Sequence, residues 1–291
     1  MTSPTPTPRD EALAALVELS LELGRPDRAW AVLAEGNTSV SLGGDSGAML
    51  VKASGASMAI AVPDDFVEVR IADVLALVDA PAAAAGGDAA AATATASADD
   101  EAVRALFAAA ATGGRRPSVE ALLHAVCLDL PGVEAVGHTH PIPVNGLLCS
   151  PQASLLVAGS LFPDQIVVLG TDPLLVPYID PGLKLARAVR RMLRERLEAT
   201  GSVPKVVYLA NHGMFALGAS TSEVLQITEM AVKVASVLLH TLAAGGPVFL
   251  DDAQVARIDT RPDELLRRAA LAASASAPTT TPALSNGAAD R

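Results

Sequence analysis

Two histidines one residue apart, His138-Thr139-His140, close the run VEAVGHTH, and a third stands in Asn211-His212-Gly213 directly after the run KVVYLA. Side chains of a strand alternate between faces, so imidazoles at i and i+2 point the same way and can share one ion. Three neutral imidazoles on strand ends suit Zn²⁺ or a similar divalent cation. They leave one coordination position for an oxygen ligand or a substrate, which is what a Lewis acid requires. The other two of the five histidines read differently. His240 falls in the last turn of a long helix, where an imidazole complements the helix dipole. His124 stands four residues after Glu120, placed either to orient that carboxylate or to make an ordinary i,i+4 contact with it.

Glu120 follows Pro117-Ser118-Val119 at a helix start, where Ser118 reads as the cap and Glu120 as a partner of the dipole. The free N–H groups of such a terminus also favour an anion. Two small-residue loops, Glu35-Gly36-Asn37-Thr38-Ser39 and Ala53-Ser54-Gly55, precede and follow a strand. Each reads as a tight turn that can also present backbone donors to a phosphate or carboxylate.

The elements that must position these residues alternate along the chain. A helix is expected over about 9–23, with Leu13, Leu16, Val17 and Leu21 on one face and Gly24 at its end. Strands are expected at 49–52, 66–71, 133–138, 165–169 and 205–210. A helix opening at Ser118 presents Leu122, Leu123, Val126, Cys127 and Leu130 and stops at Pro131-Gly132, and another covers about 182–199. The last long helix opens on the capping box Ser220-x-x-Glu223 and buries Val224, Ile227, Ala231, Val234 and Leu238 before Gly245. Mixed elements with short connections give an α/β class with helices covering a central sheet. Domain organisation is read as a disordered 1–8, one domain over 9–250 with a low-complexity linker inserted at 81–100, a helical extension at 251–272 and a disordered tail at 273–291.

The 291 residues carry 21 Lys and Arg against 32 Asp and Glu, a net charge of −11, so binding to a phosphate backbone is not expected. One Trp, two Tyr and five Phe supply no stacking platform for single strands. Cys127 and Cys149 form no CxxC and fit a reducing cytoplasm. The N-terminus lacks the basic and apolar regions of a signal peptide. The longest uncharged stretch, 141–163, is broken by four prolines, Asn145, Gln152 and three serines, so no membrane span is expected.

Taken in order, GN(T)S, xSG, PSxE, HxHP and NHG resemble the class II aldolase/adducin family over about residues 10–245. That family includes L-fuculose-phosphate and L-rhamnulose-phosphate aldolases. The resemblance implies a three-layer αβα fold with a mainly antiparallel mixed sheet, commonly a homotetramer with sites at subunit interfaces. It implies a divalent metal, Zn²⁺ first with Mn²⁺ or Co²⁺ as alternatives, on His138, His140 and His212. Glu120 becomes the acid/base that also ligates the metal, and Gly36, Asn37, Ser54, Gly55 and Ser118 become a phosphate pocket. Retro-aldol cleavage of a small hydroxycarbonyl compound through a metal-stabilised enediolate is the implied reaction. Decarboxylation, dehydration and epimerisation share that intermediate, and a non-catalytic adducin-like module is the alternative of a different class. Three features depart from the pattern. Val119 replaces a second serine, Glu35 adds a negative charge beside the anion pocket, and no tyrosine stands in 157–165. With only Tyr178 and Tyr208 present, Tyr178 of this or a neighbouring subunit is the candidate phenolic acid, and unless it reaches the metal, water or another group must deliver the proton.

Overall fold

The computed structural model describes residues 6–81, 89–111 and 114–275. The expected disorder of 1–5 and 276–291, and residues 82–88 of the expected linker, lie outside these. The chain runs α1 (Pro8–Leu23), β1 (Asn37–Ser41), β2 (Ala48–Lys52), β3 (Phe66–Arg70), α2 (Ile71–Asp79), α3 (Ala89–Ala109) and α4 (Ala121–Leu128). It continues through β4 (Ala135–Thr139), α5 (Ile142–Leu148), α6 (Pro163–Leu169), β5 (Leu174–Val176), α7 (Leu183–Thr200) and β6 (Val206–Leu209). It closes with β7 (Gly213–Gly218), α8 (Thr221–Ala243), α9 (Asp252–Thr260) and α10 (Pro262–Ala275).

The strands form one sheet in the order β3-β2-β1-β4-β7-β6-β5. Every neighbouring pair is antiparallel except β5 with β6. The period-two alternation of strand side chains divides the core in two. Val136, Val207, Leu209, Phe215 and Leu217 face α2, α3, α4 and α7. Ala135, Val206, Tyr208, Met214 and Ala216 face α1, α5 and α8. The result is the three-layer αβα architecture with a mainly antiparallel mixed sheet. Among the described residues one helix, α8, is long and apolar enough to cross a bilayer. It instead buries Val224, Ile227, Ala231, Val234 and Leu238 in the second core.

Several local expectations change. Residues 165–169 are helical rather than extended: Pro163 opens α6, Gly170 ends it, and Ile166, Val167 and Leu169 are buried, so tertiary packing overrides the β-branched composition. Residues 89–100 of the expected linker are the first half of α3. That helix is secured beyond the alanine-rich stretch, where Val103 and Phe107, four residues apart, enter the core and Asp99 pairs with Arg187. Asn37, Thr38 and Ser39 are not a loop but the start of β1, in the middle of the sheet. Leu21 is exposed, because α1 buries the face of Leu16, Leu19, Ser20 and Leu23. The helix expected from Ser118 begins at Ala121 and is buried all round. Its far end is fixed by the buried Arg190 of α7, which bridges Asp79 and Asp129.

Gly137, on β4 beside His138, lets α8 and α1 approach the sheet. A Cβ there would stand 2.7 Å from Val224 Cγ1 and 3.0 Å from Leu23 Cδ1. Overpacking of this kind costs roughly 1–3 kcal/mol. Gly137→Ala is therefore expected to lower the urea midpoint with an unchanged m value, and an unchanged midpoint would contradict this packing.

Candidate metal centre

One face of the central strands gathers the chemistry. His138 on β4 lies opposite Asn37 on β1 and Phe215 on β7. Its ring stacks on Phe215 with centroids 4.2 Å apart. His140 lies just past the strand end, and its backbone N–H donates to Trp30 O at 2.7 Å. His212 occupies the turn between β6 and β7. Asn211 there adopts the left-handed conformation (φ 56°), which Asn tolerates better than most residues. Asn145 of α5 holds this turn by donating to His212 O at 3.0 Å. The turn thus owes its left-handed residue to Asn211. Gly213 is required for another reason: a Cβ on it would meet the His140 ring at 2.4 Å and Thr139 O at 2.7 Å.

Glu120 enters from the turn before α4. Its Oε1 lies 3.0 Å from His212 Nε2 and 3.2 Å from His138 Nε2, and the Nε2 atoms of His138 and His140 are 2.9 Å apart. One ligand atom from each of the four residues falls within 4.8 Å of all the others. The proton positions follow from the outer partners. His138 Nδ1 faces Met214 O at 3.0 Å and His140 Nδ1 faces the Glu35 carboxylate at 3.1 Å. Both partners are acceptors, so each Nδ1 carries the hydrogen and each neutral ring turns an Nε2 lone pair inward. Two imidazole lone pairs 2.9 Å apart beside a carboxylate oxygen repel unless a cation lies between them. The donor set therefore fits a divalent metal such as Zn²⁺.

Burial pushes the Glu120 carboxyl upward, whereas positive charge among the imidazoles, together with the Asn37 amide, pulls it below the usual carboxylate range. Burial lowers the pKa of His140. Behind the site, the buried Lys52 ammonium donates to Ala56 O at 2.6 Å. Burial lowers its pKa while Glu120 and Asp65 pull it back up.

The other expected site residues are placed unequally. The bridge between Ala53 and Pro117 brings the Ser54-Gly55 turn beside Ser118, and the space over the Gly55 α-carbon is open. Ser54 spends its N–H on Arg116 O at 2.9 Å. Ser118 lies three residues before α4 and caps no helix; its hydroxyl accepts the Glu120 N–H at 3.4 Å. Gly36 (φ 69°) permits close passage of β4, since a Cβ would meet His138 O at 2.8 Å. Asn37 and His124 are buried, and Asn37 donates to Glu120 and is bonded through its carbonyl to His124. Tyr178 is exposed and gives its hydroxyl to Asp180 at 3.0 Å, a bond that raises its pKa. Tyr208 is buried in the opposite core. His240 bonds Ser236 O within its own helix. Glu35, met in the sequence only as an unwelcome charge, is an orienting partner of His140. Nothing in its sequence neighbourhood distinguishes that role.

The family model of the class II aldolase and adducin N-terminal domain matches residues 14–239. No curated protein matches the sequence. Among solved structures, YgbL of Klebsiella pneumoniae, described as an aldolase/epimerase/decarboxylase, aligns at 20% identity and TM-score 0.61 over 87% of this chain and all (100%) of its own. An L-fuculose 1-phosphate aldolase aligns at 19% identity and TM-score 0.59 over 86% of this chain and 94% of its own. The N-terminal class II aldolase domain of a Thermoplasma acidophilum protein aligns at 20% identity and TM-score 0.57, over 82% and 97% respectively. At these identities the likeness is one of fold.

His124 carries a pH signature of this packing. Burial pushes its pKa down from 6.5 to about 3. As pH falls through that interval the unfolded chain takes up a proton that the folded chain refuses, so stability falls, by at most about 1.4 kcal/mol per pH unit. His124→Gln does not titrate and is expected to show a shallower acid slope in denaturant unfolding. Equal slopes would contradict the buried neutral ring.

Proposed function

Because this chain belongs to the class II aldolase and adducin family, we propose that it is a divalent-metal-dependent lyase cleaving a carbon–carbon bond of a small hydroxycarbonyl compound by retro-aldol chemistry. The observation that supports this most is the convergence of His138, His140, His212 and Glu120, with the outer nitrogens of two histidines committed to acceptors. Those four residues would hold the metal, Zn²⁺ in preference to Mn²⁺ or Co²⁺. Bound there, a divalent cation supplies Lewis acidity toward a carbonyl and a neighbouring hydroxyl oxygen.

The chain's own groups then account for the proton movements. Glu120 accepts the proton of the hydroxyl on the carbon to be released, and the bond to the carbonyl-bearing fragment breaks to leave an enediolate. The same carboxyl returns the proton to carbon. Asn37 holds its far oxygen at 2.6 Å throughout, so the near oxygen stays directed at the imidazoles. The Ser54-Gly55 turn and Ser118 are the proposed seat of an anionic, phosphorylated end of a sugar-derived substrate, and a homotetramer in the cytoplasm is the proposed assembly and setting. The commitment of Tyr178 to Asp180 favours a second reading, in which decarboxylation, epimerisation or dehydration uses the same metal and carboxylate without a phenolic acid. Retention of all four donor residues argues against a non-catalytic adducin-like module.

Protein loaded in turn with Zn²⁺, Mn²⁺ and Co²⁺ and offered a panel of sugar phosphates and sugar acids is expected to release two carbonyl fragments, identified by mass. Glu120→Gln is expected to lower kcat by about 10²-fold or more. His212→Ala is expected to lose metal and activity together. Release of CO₂, loss of water, or an isomer of unchanged mass would replace the lyase with the sister reaction. No turnover of any substrate by the metal-loaded protein would favour the adducin-like module.

A further inference from the structure

Behind Glu120 lies a buried chain of hydrogen bonds that the proposed chemistry does not by itself require. Glu120 Oε2 is 2.6 Å from Asn37 Nδ2, Asn37 Oδ1 meets His124 Nε2, and His124 Nδ1 is 2.6 Å from the Ser39 hydroxyl. Asn37, Ser39 and His124 are each buried. Asn37 and Ser39, two apart on β1, face the same way, while His124, on α4, stands one turn beyond Glu120, which precedes that helix.

The polarity of this chain is forced from one end. A carboxylate oxygen only accepts, so Asn37 must present its NH₂ to Glu120 and its carbonyl to His124. The reversed amide would set a carbonyl oxygen against a carboxylate in a buried site. The carbonyl in turn demands a hydrogen on His124 Nε2. A neutral ring has one N–H, so Nδ1 is an acceptor and the Ser39 hydroxyl donates to it. Each residue has one orientation that satisfies both neighbours, and Glu120 cannot swing its second oxygen without leaving a buried amide unpaired. The Asn37 carbonyl and one of the two hydrogens on its nitrogen are committed in this way, which leaves the second N–H for a substrate.

We infer that Ser39, His124 and Asn37 are positioning residues for Glu120. The inference rests on the reading of Glu120 as acid/base and metal ligand. It adds to the phosphate role that the GN motif implies by resemblance, which the second Asn37 N–H leaves open. The sequence leaves His124 open between orienting Glu120 and a simple i,i+4 contact. The structure offers a third arrangement, in which His124 reaches Glu120 through Asn37.

Two measurements on the full chain test it. In metal-free protein labelled with ¹⁵N-histidine, long-range proton–nitrogen correlation is expected to show His124 as the neutral Nε2–H tautomer. The Nδ1–H tautomer would overturn the inference whether or not the protein binds metal. The second uses Co²⁺ as the probe. His124→Gln keeps an amide donor near the Nε2 position, whereas His124→Asn reaches only the Nδ1 position. With folding verified by circular dichroism, His124→Gln is expected to keep Co²⁺ affinity within about threefold and the visible spectrum of the wild type. His124→Asn is expected to lose about tenfold or more, the usual cost of removing an outer partner of a metal ligand. Equal affinity and spectra for both variants and wild type, or equal losses in both, would overturn the positioning role. Failure of the wild type to bind Co²⁺ would instead overturn the metal reading of the preceding subsection, leaving the tautomer to decide this one.

Discussion

A backbone carbonyl and a carboxylate, Met214 O and Glu35, fix the protons of two histidines on their outer nitrogens. Everything at the centre follows from that. The inner nitrogens become lone pairs 2.9 Å apart, with the Glu120 carboxylate against one of them and against His212. Electron-rich atoms gathered in a poorly solvated place cost free energy unless a positive charge joins them. The fold meets part of that demand with Lys52, whose ammonium is buried nearby among backbone carbonyls. The remainder is the electrostatic case for a divalent cation.

The sheet makes this arrangement possible because it separates duties by face. On one side of β1, Thr38 bonds Ser20 of α1; on the other, Asn37 and Ser39 reach α4. In β4, His138 faces Phe215 and Glu120 while its neighbour Gly137 admits α8 on the reverse. The β6–β7 turn contributes His212 and depends on Asn211 for its conformation and on Gly213 for room beside the His140 ring. Arg190 ties α4 to α2 and α7, so the carboxylate-bearing turn enters from a braced element. Four separate stretches of chain thus meet at one point, each held by contacts that lie outside it.

Much of this was legible in the sequence, and the reasons differ by residue. The HxH pair at a strand end and the NHG turn announced themselves through side-chain alternation and an apolar run, and all three imidazoles converge with Glu120. The long helices α7 and α8 were visible from their periodic apolar faces. The polar strand β1 was not, since Asn37-Thr38-Ser39 has turn composition and is strand only because each side chain finds a buried partner. The helix α6 was hidden by β-branched residues, and α3 by an alanine-rich stretch anchored further along by Val103 and Phe107. The role of Glu35 toward His140 spans 105 residues of separation, and no local pattern encodes such a pairing. The family resemblance supplied the order of motifs, yet the engagement of Asn37 by Glu120 and His124 is visible only in three dimensions.

The central claim is that these four side chains form one metal site. X-ray absorption spectroscopy of protein loaded with a single equivalent of Zn²⁺ tests it most directly. The expected spectrum has a first shell of nitrogen and oxygen at about 2.0–2.2 Å with the multiple-scattering pattern of three imidazoles. One imidazole contribution is expected to disappear in His140→Ala. A spectrum of hydrated or sulfur-ligated zinc, or one unchanged by that substitution, would contradict the claim.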